Sequence, residues 1–216
     1  MVKKILKILF ALLAIITGLY PVLYFILDRK FGLLQSKTDI VLTDLFWNLG
    51  FYTNIILGGI ALLIGWIQFN KKIRTTRVKL HRLIGKFYVI FALFSASAAF
   101  YIAFYATGGW VTTLGFTGLA ITWFGTTLSA YIHIKNKRIN QHQQMMVYSY
   151  AACFAAVTLR IWLPLLTSVI NDFLIAYKIV AYFCWIPNMI LAFFINRRLY
   201  QSAYSDQSGV SISIRS

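Results

Sequence analysis

The sequence predicts an all-α membrane protein, a single bundle of six transmembrane helices with N and C termini in the cytoplasm. Three observations predict it. Of 216 residues, 60% are hydrophobic and only 12% carry charge, too little charge to clothe a soluble domain of this length. The apolar residues fall in stretches long enough to cross a bilayer. The cations, which bring the net charge to +16, sit in short segments between those stretches, and these segments fall on one side when the spans are counted through.

The first span runs from about Ile5 to Leu27, after Lys3, Lys4 and Lys7. Its apolar core is too long for a signal peptide and no small-x-small cleavage site precedes Pro21, so it is expected to be retained. A polar connector follows, in which Asp28, Asp39 and Asp44 balance Arg29, Lys30 and Lys37. The second span, about Phe46 to Phe69, repeats Asn54, Gly58, Ala61, Gly65 and Gln68 on one stripe, a pattern that lets helices approach closely. The third, about Leu83 to Thr107, carries His81, Gly85, Tyr88, Ala92, Ser95 and Ala99 on one face. A TGGW turn leads to the fourth, about Val111 to Ile134, striped by Gly118, Thr122, Gly125, Ser129 and His133. The fifth, His142 to Pro164, aligns His142, Ser149, Cys153, Ala156 and Arg160. The sixth, about Phe173 to Ile195, aligns Lys178, Ala181, Trp185, Asn188 and Ala192; Pro164 and Pro187 predict kinks that neighbouring helices can accommodate. Residues 1–45 thus form a first helix and outer connector, 46–198 a core bundle, and 199–216 a flexible polar tail.

Orientation follows from the basic segments. The N-terminal lysines, the loop 71–82, the group Lys135, Lys137 and Arg138, and the pair Arg197 and Arg198 share a side, and the positive-inside rule makes that side cytoplasmic, in the inner membrane. There they meet anionic headgroups, so the net charge points to a lipid bilayer and not to nucleic acid. The chain has no Glu, and its five Asp residues avoid the middles of the spans, which removes the usual carboxylate relay of a proton-coupled transporter. Cys153 and Cys184 lie mid-span without a CxxC or a His/Cys cluster and read as packing residues. No HExxH, GxSxG, P-loop or GxGxxG pattern is present, and no carboxylates are paired for acid/base work.

Two groups of residues are candidates for chemistry. His81, His133 and His142 fall at the cytoplasmic ends of spans three, four and five, where they can converge. Facing imidazoles across a helical bundle suit a b-type haem, with His81 and His142 as axial ligands and Arg82 neutralising a propionate; the alternative is that boundary histidines only bridge water and headgroups. Arg160 is the second candidate, about 27 Å along its helix from His142. With Lys178, Asn54 and Asn188 it can bind an anionic or lipid-like ligand on the outer side. The competing structural reading pairs Arg160 with Asp172 or Asp44 and makes Asn54, Gln68 and Asn188 interhelical hydrogen-bond groups. Met145 and Met146 beside His142 make a thin copper site, and methionine is a common packing residue.

The segments HRLIGKFYV (His81 to Val89) and HQQMMVYSYAACFAAVTLRI (His142 to Ile161), with NIILGGIALLIGWIQF before them and WIPN after, resemble the bacterial predicted-membrane-protein family called domain of unknown function 2306. The resemblance covers roughly residues 50 to 195 and rests on His81, Arg82, Gly85, His142, Met146 and Arg160. It implies a membrane protein without an assigned reaction. Asn54 stands where the family pattern has histidine, and Met145 and Tyr148 where it has Trp and Arg, so any ligand role of that first histidine is absent here. Three readings follow: a haem-binding electron-transfer protein with a redox partner, a transport or assembly protein with a ligand at Arg160, and a structural subunit or homo-oligomer whose stripes only pack helices.

Overall fold

A computed structural model describes residues 2–27 and 30–213, with side chains for residue 5 and for 8–27, 30–70 and 72–199. Asp28 and Arg29 of the connector, the side chains of Lys3, Lys4 and Lys7, and those of the tail beyond Leu199 lie outside the described residues. Every described element is helical. Helix α1 (Val2–Leu19) continues through a tight turn at Tyr20–Val22 into α2 (Leu23–Ile26). A 3-10 turn and α3 (Asp39–Thr43) lead to α4 (Leu45–Gly65), whose first turn is capped by the Asp44 carboxylate accepting from the Trp47 amide at 2.6 Å. The short basic helix α5 (Lys71–Thr76) precedes α6 (Val78–Ala103).

Helix α7 (Trp110–Lys135) starts after a turn that requires glycine: Gly108 and Gly109 have φ of 101° and 77°. The Thr112 hydroxyl ties that turn down by donating to the carbonyls of Gly109 and Thr107 at 2.8 and 2.9 Å. Helices α8 (Ile139–Cys153) and α9 (Ala155–Ile170) form one span broken at Phe154. The chain then reverses through Asn171, in the left-handed conformation, and Asp172, whose carboxylate accepts from the Ile175 amide at 3.0 Å. Helices α10 (Phe173–Phe183) and α11 (Ile186–Ser213) form the last span, broken at Cys184 and Trp185. Pro187 explains that break, since it has no N–H for the carbonyl four residues back. No proline follows it, and helical backbone continues to Ser213 through the stretch expected as a tail.

Five of these segments are long and apolar enough to cross a membrane: Ile8–Ile26, Leu45–Phe69, Val78–Ala103, Ile139–Ile170 and Phe173–Leu199. Helix α7 is as long as α6 but is not among them; Thr112, Thr113, Thr117, Thr122, Thr126 and Thr127, with three glycines, dilute its hydropathy. Large apolar side chains such as Ile16, Phe25, Phe94, Ile121 and Leu191 face outward, the reverse of a soluble surface.

In the bundle α4 packs on α6, α6 on α7, α7 on α8 and α10, α8 on α11, and α1 on α4 and α9. The central core alternates small and large side chains, with Ala61, Ala92, Ala96 and Ala152 against Leu62, Tyr88, Trp123 and Tyr150. Small residues permit the closest crossing, where a Cβ on Gly59 would lie 2.7 Å from the Gly18 carbonyl oxygen. Cys153 and Cys184 are buried free thiols, as expected for packing residues.

Candidate functional site

The inward stripes of α6 and α8 lie side by side. The Tyr88 and Ser149 hydroxyls are 2.9 Å apart, those of Ser149 and Thr127 are 2.7 Å apart, and Thr127 donates to the Trp123 carbonyl. All three residues are fully buried. This polar layer divides the bundle into two halves, one toward the basic loops and one toward the opposite end.

The half toward the basic loops holds the histidines. His81, His133 and His142 lie at the basic-loop ends of α6, α7 and α8. The His142 Nδ1 lies 2.8 Å from the Ala130 carbonyl, which fixes the ring and leaves Nε2 for another partner. The Nδ1 atoms of His81 and His133 and the Nε2 of Gln68 are buried without a hydrogen-bond partner. Arg82 is exposed beside His81. Among the described residues no three His, Cys, Asp or Glu side chains come together as a metal-binding group. Met146 is buried in the central core with Met145 packed against it, so these thioethers serve packing.

The opposite half encloses a cavity of about 240 Å³. Its wall includes Arg160, Asn54, Ser95, Tyr24, Tyr177 and Lys37, and is otherwise mostly aliphatic and aromatic. Arg160 is held from two sides. Its Nη1 donates to the Ala156 carbonyl one turn back at 2.8 Å, and its guanidinium carbon sits 4.2 Å from the centre of the Tyr20 ring, a cation–π contact. Its Nε is buried with no partner. The carboxylates expected to neutralise it are engaged elsewhere, because Asp44 and Asp172 cap helices. Among the described residues the one salt bridge joins Lys30 to Asp39 at 2.7 Å, with both side chains mostly exposed, a geometry that contributes little.

The remaining outer candidates divide. Asn54 lines the cavity, and its amide donates to the Ser95 carbonyl and hydroxyl at 3.1 Å while the Ser95 hydroxyl donates back to the Asn54 carbonyl at 2.9 Å. Asn188 lies away from the cavity: its amide reaches the Cys184 carbonyl, the Thr158 hydroxyl and the Ala151 carbonyl. It serves the break before Pro187, where Thr158 also donates to the Cys184 carbonyl. Lys178 does not join Arg160. It is exposed, with its side chain near Gly108.

Lys37 is the cavity residue that the sequence did not single out. Its ammonium donates to the Tyr105 carbonyl and to the Thr107 hydroxyl, pinning the connector to the end of α6. Burial lowers its pKa from the usual lysine value to about 8. Below about 8 both folded and unfolded chains carry the charge, and the folded one bears the whole burial cost. Between about 8 and 10.5 the folded chain sheds the proton first, so stability contributed at this site rises with pH. Thermal unfolding of the wild type and Lys37→Met across that window should therefore show the wild type gaining relative to the variant. A constant difference would place the lysine in a solvated setting.

No curated protein and no solved structure matches the chain. The family described as predicted membrane protein (DUF2306) matches residues 51–196, from the middle of α4 into α11 and across the histidines, the polar layer and Arg160, and the chain belongs to that family.

Proposed function

We propose that the protein is a six-span inner-membrane protein, both termini cytoplasmic, that binds a small anionic or lipid-like ligand in the cavity at Arg160. The observation that carries this reading is a guanidinium in an internal cavity with a buried, unpartnered Nε and no carboxylate partner among the described residues. A charge at that depth is costly and marks a functional site by default. Helix α7 counts as the sixth span because its 26 residues extend about 39 Å between α6, α8 and α10, with Thr112 and Thr127 buried. Orientation is supported by Arg74, Lys79, Arg82, Lys135 and Arg138, exposed at the histidine end, where anionic headgroups would meet them.

A second reading, a bis-histidine haem held by His81 and His142 with Arg82 at a propionate, is favoured by the fixed His142 ring with its free Nε2. Haem would supply one-electron chemistry, with a redox partner. The cavity weighs against this reading, since none of the three histidines lines it.

One sample tests both. Protein purified from haem-replete cells is examined by native mass spectrometry and by absorption before and after dithionite. The expected result is a bound acidic small molecule, absent from Arg160→Gln, and no visible band. A Soret band that shifts on reduction and disappears in His142→Ala would transfer the assignment to the histidines. Identical bound masses in wild type and Arg160→Gln would remove the role of the arginine.

A further inference from the structure

The cavity also constrains what fills it, an argument that rests on its being a ligand site. Charge is the first constraint. Two cations line the wall, but the Lys37 ammonium is already engaged by Tyr105 and Thr107. Arg160 remains, with one nitrogen spent on Ala156, one face on Tyr20, and Nε unpartnered. Guanidinium keeps its proton in protein interiors, so the missing partner is an anion.

Shape is the second constraint. Along α4 the wall runs from Trp47 to Leu62, about 22 Å at the helical rise. Asn54 and Arg160 each lie about 14–15 Å from the ends of α4 and α9 away from the basic loops, near the middle of that length. From there toward the polar layer the wall is mostly apolar, with Gly58, Leu62, Leu119, Trp123 and Cys153, and Thr17 of α1 adds one hydroxyl; Ser95 is tied to Asn54. Gly58 lets α6 approach α4 closely here, since a Cβ there would reach within 2.8 Å of the Ser95 hydroxyl and 3.6 Å of the Trp123 ring. Size is the third. A volume of about 240 Å³ suits one short chain and is too little for the two chains of a phospholipid.

We infer that the occupant is a single-chain amphiphile with a carboxylate head, seated with the carboxylate on the Arg160 guanidinium and the apolar chain running along α4 toward Leu62 and Trp123. A carboxylate matches the guanidinium in charge and in planar geometry.

Calorimetric titration of decanoate, decanol and decyl phosphate into the full chain in a maltoside micelle tests this. Decanoate should bind at one per chain, and decanol at least tenfold more weakly. Arg160→Gln should lose at least tenfold for decanoate and nothing for decanol. Leu119→Trp, which fills the wall along the proposed chain and keeps Arg160, should weaken decanoate as well; if Arg160→Gln does not fold, this variant and the decanol comparison carry the test. Equal binding of decanol and decanoate, or decanoate binding untouched by Leu119→Trp, overturns the inference. Binding of decyl phosphate without decanoate overturns the carboxylate head and leaves the anion site standing. No binding of any of the three removes both the inference and the ligand reading beneath it.

Discussion

Gly65→Val is expected to destabilise the protein by about 3 kcal/mol or more, above the usual range for an added core group. A Cβ on Gly65 would lie 2.3 and 2.5 Å from two ring carbons of Tyr150 and 2.8 Å from one of Tyr88. Neither ring can retreat cheaply. The Tyr150 hydroxyl donates to the Leu62 carbonyl at 3.0 Å on the same helix as Gly65, and its ring packs against Phe10 and Phe69. Tyr88 is fully buried and anchored to Ser149. Valine adds two methyl groups beyond the Cβ that already fails to fit. Thermal unfolding in detergent, read by tryptophan fluorescence, would show the loss as a midpoint many degrees lower, or as failure to recover folded protein. A midpoint within a degree or two of wild type would mean that α4 and α8 are farther apart than described.

Ser149→Ala carries the next largest effect, about 1–3 kcal/mol, the usual cost of leaving a buried polar group unpaired. The serine hydroxyl bridges Tyr88 and Thr127. Thr127 retains the Trp123 carbonyl when the bridge is lost, whereas the Tyr88 hydroxyl loses its 2.9 Å contact with the serine. The discriminating variant is the double change with Tyr88→Phe. If the two hydroxyls interact directly, the double change should cost clearly less than the sum of the singles. Strict additivity in the unfolding measurements would deny the contact.

What was legible in the sequence follows from what periodicity encodes. Residues spaced at multiples of a helical turn share a face, so His81, Tyr88 and Ser95 on α6 and His142, Ser149 and Arg160 on α8 and α9 could be placed inward before any contact was known. Periodicity does not say what meets what across the bundle. Asn188 therefore stands open in the sequence between a ligand role and an interhelical hydrogen bond, and it makes the latter to Ala151 and Thr158; Lys178 groups with Arg160 by spacing, yet it is exposed near Gly108. Lys37 carried no signal at all. It lies in an aperiodic connector, and its partners Tyr105 and Thr107 are about 70 positions further along the chain. The cavity was equally silent, because a void is a shortage of volume summed over several helices. Proline did announce the break before α11, but nothing in the composition around Phe154 announced the one between α8 and α9.

Those two breaks give the bundle an articulated part. Phe154 and Cys184 stand close to one level, since Thr158, one turn beyond Phe154, reaches the Cys184 carbonyl. Beyond them α9 and α10 form a two-legged forearm with an elbow in each leg. Arg160 rides on this forearm, while α4 and α6 supply the facing wall. Backbone bonds still run across both elbows, from the Phe154 amide to the Tyr150 carbonyl and from the Cys184 amide to the Val180 carbonyl. The forearm that carries Arg160 is therefore tied to α8 at its root and leans on α1 and α7 along its length.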